Sequence, residues 1–273
     1  MHLFALLLKP GRLGRAAVAL CGLSLVAAAE PAIAAGCSLP PQGEGRVTEV
    51  IDARSLRLED GRDVILAGIE PIVSDDANTK ETKASRIAAL SAIVAGRDVT
   101  LHGEDDTPDR YGRQPALVFL AGSDTSVQAT LLTQGDALVA ATVTDKDCAT
   151  ALAAAEAAAR TAKRGIWANS SAIKNAESPG DILTGIGRFM VVEGRVLSVR
   201  QAGATTYLNF GRNWTQGFAV TIPKRMIAAF EAAGLALKSL ENQKIRVRGW
   251  IEGRGGPRIE VLRVGQIERL GEN

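Results

Sequence analysis

The chain has 273 residues, of which 46% are hydrophobic and 23% charged, which excludes a disordered or fibrous protein and suits one large domain or two ordinary ones. Its formal charge of +2 belongs to the N-terminal segment, since without Lys9, Arg12, Arg15 and Glu30 the chain carries 29 basic and 29 acidic residues. Divided near residue 170, that remainder is 14 basic against 20 acidic on the left and 15 against 9 on the right, an acidic half joined to a basic one.

The three early basic residues precede an uncharged run over residues 16–29, followed by Ala32-Ile33-Ala34. That run is too short to span a membrane but suits the apolar part of a secretory signal, expected over residues 1–34. From Gly45 the pattern turns to short strands at 46–50, 55–58 and 63–68, with Asp60-Gly61 as a hairpin signal. A helix is predicted over 80–95 from Ile87, Leu90, Ile93 and Val94, stopping at Gly96. Strands at 98–102 and 115–120 follow. Asp124-Thr125-Ser126 offers caps to a helix that ends at Gly135, and an alanine-rich helix runs over about 147–164, with Arg160, Lys163 and Arg164 complementing its dipole.

Residues 169–187, with Ser170, Ser171 and Ser178-Pro179-Gly180, read as a linker between a first domain over 43–168 and a second over 188–271. The second domain is predicted to have strands at 191–199, 207–210, 218–222, 244–251 and 258–264, with a helix over 226–233. Five strands with one helix between the third and fourth is the order of an OB-fold. The expected fold class is mainly β with helices, two OB-type β-barrels in tandem. The region from about Gly185 onward is expected to fold alone and to carry any polyanion affinity.

Cys21 leaves with the signal, so Cys37 and Cys148 remain. In an oxidising compartment they are expected to form a disulfide, the alternative being lipidation of Cys37 at an Ala34-Ala35-Gly36-Cys37 box. His102 is the only histidine after the signal, which removes zinc clusters of the Cys/His type and any Ser-His-Asp triad not built on His102 itself. It is expected to be an exposed strand residue.

Residues 50–58, the segment 64–71, Asp109-Arg110-Tyr111-Gly112-Arg113 and Gly165-Ile166-Trp167 together resemble the thermonuclease family, typified by staphylococcal nuclease. The resemblance spans about residues 43–168 and implies an OB-type barrel that hydrolyses phosphodiesters with calcium. Such chemistry needs carboxylates around a hard cation, with positive donors on the phosphate. The family's Asp-Gly-Asp-Thr reads Asp52-Ala53-Arg54-Ser55 here, so a guanidinium stands where a metal ligand belongs, while Ile65 holds an arginine position. Arg54 would repel calcium and cannot be deprotonated. Asp52 and Glu70 remain as metal-ligand acids, and Glu70 and Arg113 as remnants of the catalytic set. The family's final Glu falls on Val73, with Asp75 or Asp76 as substitutes. Arg113 has a second reading, in which it pairs with Asp109 and holds a turn.

In the second domain, bases could stack on aromatics over a basic groove. The candidates are Tyr207, Arg212 and Trp214, with Arg246, Arg248 and Trp250 sharing one face of a strand as a cationic outer surface. The resulting expectation is an exported thermonuclease-like protein that has lost calcium-dependent cleavage and needs no cofactor. It would act as a binding or scaffold module, with single-stranded nucleic acid or another polyanion as partner. The alternatives are an active nuclease with a rearranged site, for which calcium would be required, and a module that binds a protein or cell-wall component; in each case the exported chain is expected to be periplasmic or extracellular.

Overall fold

The computed structural model describes residues 37–72, 83–169, 172–213 and 216–271. The expected signal segment, Val73, Asp75, Asp76 and Trp214 lie outside them. The first half holds β1 (Pro41–Asp52), β2 (Ser55–Leu58), β3 (Asp63–Leu66), β4 (Ile69–Pro71), α1 (Lys83–Val94), β5 (Asp98–His102), β6 (Gln114–Leu120), α2 (Val127–Gln134), β7 (Ala137–Val139) and α3 (Lys146–Thr161). Five of these strands close into a barrel in the order β1, β2, β3, β6, β5. Closure depends on the length of β1, whose first half pairs with β5 and whose second half pairs with β2. Alternating residues of the barrel strands, among them Val47, Leu56, Leu58, Val64, Leu66, Val99 and Leu101, fill its interior with almost no exposure.

The helices follow their caps. The Ser126 hydroxyl accepts from the Ala129 N–H at the start of α2, and Asp145 accepts from the Cys148 N–H at the start of α3. Each such cap satisfies one of the free N–H groups of a first helical turn. Gly135, at φ +79°, ends α2 against Gly165, at φ +51°; a Cβ on either would lie 2.3 to 2.5 Å from a backbone oxygen of the other segment. Only glycine combines that backbone conformation with that approach. The Gly165 contact turns the chain so that Trp167 enters the interior. Cys37 and Cys148 form a disulfide with Cα atoms 4.4 Å apart, tying the arm ahead of β1 to α3. His102 is half-buried rather than exposed: its Nδ1 lies 3.0 Å from the Leu39 carbonyl and its ring meets Phe119 edge-on.

The second half holds β8 (Ile173–Asn175), α4 (Pro179–Leu183), β9 (Phe189–Arg195), β10 (Ser198–Ala202), β11 (Thr205–Asn209), β12 (Ala219–Pro223), α5 (Ile227–Ala232), β13 (Lys244–Gly253), β14 (Pro257–Glu260) and β15 (Ile267–Arg269). The sheet runs β10, β11, β12, β14, β13, β9, β8, with β15 also on β13. Because β9 and β10 are separated only by Val196 and Leu197, the sheet curls back to its own start. The third and fourth strands of that path, β12 and β14, pair in parallel, as β3 does with β6 in the first barrel. Both halves are consistent with OB-type paths, with a helix after the first three barrel strands in one (α1, ahead of β5) and between β12 and β13 in the other (α5).

The segment read as a linker is structured. Its residues Ile173–Asn175 are β8, parallel to β9, and Pro179–Leu183 are α4. Sequence periodicity missed them because three residues of strand and five of helix are too short to show a period. The expectation of a second domain standing alone also changes. Ile72, Leu138, Ala140, Ala159 and Trp167 of the first half pack with Phe189 and Val191 of β9 in one buried cluster. The chain from Ile33 to Asn273 is one compact unit. Among the described residues no helix is long and apolar enough to cross a membrane.

Candidate functional site

Asp52 and Arg54 sit on the tight turn from β1 to β2, and Glu70 on β4. The turn is held by the Arg54 backbone N–H donating to Asp52 Oδ1 at 2.8 Å. The Arg54 side chain then reaches across, its Nη1 lying 2.5 Å from Glu70 Oε1 and 3.4 Å from the Ile69 carbonyl. Glu70 is only 8% exposed. Burial raises its pKa above the ordinary carboxylate value, opposed by the charge and hydrogen bond of Arg54 and by the charge of Arg113. The charges of Arg54 and Arg113 lower, and that of Asp52 raises, the pKa of Glu70, while direct contact is made by Arg54. Ile65, expected from the resemblance to hold an arginine position, is buried in β3.

Arg113 is clamped by Asp109. Its Nε and Nη2 donate to Asp109 Oδ2 at 2.9 and 2.8 Å, while the Tyr111 and Arg113 backbone N–H groups donate to Oδ1. Burial pushes the Asp109 pKa up, but these bonds outweigh it and hold it below the ordinary value. Tyr111, at the tip of that turn, is 67% exposed and flanked by the guanidiniums of Arg110 and Arg113 at 4.9 and 5.2 Å from its ring centre.

These residues do not fit the calcium ion that the family resemblance implies. A hard cation needs converging oxygens, and here the carboxylate of Glu70 already holds a permanent cation, Arg54. A divalent ion would have to displace that guanidinium and then share its surroundings, a repulsion of about 4 kcal/mol per unit charge at 4 Å near a protein surface.

The expected cationic face of β13 is a different object. Arg246 and Arg248 are 7% and 5% exposed, and both are spent inside the molecule. Arg248 Nη1 donates to the Val139 carbonyl at 3.1 Å and to Glu156 Oε1 at 2.9 Å, with Nη2 on Glu156 Oε2 at 2.9 Å. Glu156 also accepts from the Val139 N–H at 2.8 Å and from Arg160 at 3.1 Å. Arg246 pairs with Glu193 and Glu268, whose hydrogen bonds outweigh its burial and raise its pKa. The first half holds Arg248 through Glu156 and Val139, and Arg246 is held by its cross-strand neighbours Glu193 and Glu268. Trp250, further along the same face, is 50% exposed and edge-on to Phe189.

Tyr207 and Arg212 line a cleft of about 640 Å³ on the outer face of β10, β11 and β12. Arg200, Arg254 and Arg258 line it too, and sequence reasoning missed all three. For Arg254 the signal available was the hairpin Gly253-Arg254-Gly255-Gly256-Pro257, in which an arginine is framed by residues that bring backbone close to a ligand.

Residues 73–169 match the family model for staphylococcal nuclease homologues. The chain therefore contains a staphylococcal-nuclease-like domain, on a closed five-stranded barrel consistent with the OB type. The matched stretch takes in Arg113 and the Gly165 turn but begins after Asp52, Arg54 and Glu70. A comparison with curated proteins gives no match.

Proposed function

We propose that this is a nuclease-like protein whose hydrolytic centre is closed and whose role is binding: an exported scaffold module that engages polyanions. The observation that carries the reading is the Arg54–Glu70 ion pair. Where the chemistry calls for two acids around a cation, one acid is replaced by a guanidinium and the other is consumed by it. Arg113, the one remaining phosphate-binding group of the set, is held by Asp109. Losing single members of a cooperative catalytic set already costs orders of magnitude in rate.

A calcium titration of cleavage, run on single-stranded DNA and on RNA, tests this. No calcium-stimulated turnover is expected. Turnover that disappears in Arg113→Ala would overturn the reading in favour of a rearranged nuclease. The disulfide between Cys37 and Cys148 supports export to an oxidising compartment and leaves no thiol at Cys37 for a lipid.

A further inference from the structure

We propose that the cleft on β10, β11 and β12 binds a short unpaired stretch of nucleic acid, with phosphates on its arginines and a base on Tyr207. This names the ligand of the binding role and rests on that reading.

The charges in the cleft have one sign. Arg200, Arg212, Arg254 and Arg258 line it and, among the described residues, no carboxylate does. The nearest acid partner, Glu252, lies outside the lining and is shared, 3.3 Å from Arg258 and 3.9 Å from Arg254. Arg200 and Arg212 make no ion pair among the described residues. One carboxylate against four guanidiniums leaves a cationic recess, the arrangement that concentrates an anion and releases its counterions.

Strand register places the aromatic group among the charges. Arg200 stands opposite Tyr207, and Tyr207 opposite Thr221. On the next row Ser198 faces Asn209, Asn209 faces Ala219, and Ala219 faces Arg258. Successive side chains of a strand alternate between faces, so these two rows share one face. The floor between them is neutral and already satisfied where it is polar: Asn209 Nδ2 donates to Ser198 Oγ at 3.1 Å. A ligand therefore meets a guanidinium and a ring side by side, over a surface that asks for no charge.

The walls are glycine-rich. Gly211 and Gly217 line one side, and Gly255 and Gly256, at φ +72° and +134°, the other. With no side chain at these four positions, their backbone N–H groups can approach the ligand. A volume of about 640 Å³ is that of a small-molecule site. A duplex keeps its base faces stacked inward and offers none to Tyr207, whereas an unpaired strand offers one at every residue. An acidic peptide would satisfy the arginines but give the ring no flat partner.

The test uses the full chain and a fluorescein-labelled oligothymidylate of about twelve nucleotides, read by anisotropy across a salt series. Binding is expected at about 50 mM salt. Tyr207→Ala should weaken it roughly 10-fold and Tyr207→Phe by less than about twofold, since stacking needs the ring and not the hydroxyl. Arg200→Ala with Arg254→Ala should flatten the log–log salt slope by about 1.4, or about 0.7 per lost phosphate contact. These side chains face the cleft, so melting temperatures should stay unchanged, which separates lost binding from lost folding. Binding that survives both sets of variants, or that is equally tight for a duplex, heparin or polyglutamate, would overturn the site. Failure of the underlying non-nuclease reading looks different: the oligonucleotide would be shortened on a gel when calcium is added, whatever the variant.

Discussion

Replacing Arg248 with Met should destabilise the whole molecule, and the structure sets the size of the effect. The substitution removes the guanidinium that bridges Glu156 and the Val139 carbonyl, while the Met stem keeps most of the packing. Removing one partner of a buried ion pair costs about 3–5 kcal/mol, because the other charge stays buried and uncompensated. Glu156 retains Arg160 and the Val139 N–H, so the low end, about 3 kcal/mol, applies. For a protein of this size about 1 kcal/mol moves the melting temperature by about 2–4 °C, so a loss of about 6–12 °C is expected by calorimetry. Glu156→Gln should cost less, since the amide oxygen can still accept from Val139. The wild type should unfold in one transition, because the cluster containing Trp167 and Phe189 is shared by both halves. Two separate transitions, or a loss under about 1 kcal/mol in Arg248→Met, would show that the halves are independent and the reasoning wrong.

The same shared core predicts that the fragment starting at Gly185 does not fold cooperatively, since it lacks β8 and exposes Phe189 and Arg248; a sharp chemical-denaturation transition of that fragment would contradict this. Gly165→Ala should cost about 2 kcal/mol or more in urea denaturation, since it adds a Cβ at positive φ 2.5 Å from the Gly135 carbonyl oxygen. Reducing the Cys37–Cys148 bridge, which closes a loop with a sequence separation of 111, should lower stability by up to about 4–5 kcal/mol in the chain-entropy model, and intact mass should show two hydrogens fewer in the oxidised protein. The Asp109 pKa is depressed in the folded state, so its contribution is present above the ordinary carboxylate range and is lost as pH falls through the depressed value. Asp109→Asn should remove that portion of the acid dependence, read from melting temperature against pH.

How much of this was legible in the sequence differs by element. Barrel strands with alternating apolar residues, the turn at Asp60-Gly61 and the glycine stops at Gly96 and Gly135 were readable because each is decided by its own neighbours. Arg54 was readable as a charge where the resemblance leads one to expect a carboxylate, although only the fold brings it onto Glu70. The strand β13 marks the limit. Alternation said correctly that Arg246, Arg248 and Trp250 share a face, but period 2 carries no information about what covers that face. The covering acids, Glu156, Glu193 and Glu268, are spread over more than a hundred positions, and charge counts by half cannot pair them. Arg200, Arg254 and Arg258 were missed for the same reason: each is an isolated arginine until strand pairing gathers them.

The two halves follow related strand paths, and in each a hairpin holds an arginine, β1–β2 in the first and β10–β11 in the second. In the first barrel that hairpin holds Asp52 and Arg54, and its charge is internally balanced by Glu70 and β4. In the second it holds Arg200 and Tyr207, whose cross-strand pair faces an open cleft. An arginine has opposite consequences at these two places. At Arg54 it meets the buried carboxylate of Glu70 and pairs with it; at Arg200 it meets no described acid and lines the cleft. The net acidity of the first half and the net basicity of the second then have separate uses. Part of the opposition is consumed in the buried Glu156–Arg248 pair that joins the halves. The basic residues left over in the cleft remain outside that pairing, so the second half keeps its positive field while the molecule as a whole stays near neutrality.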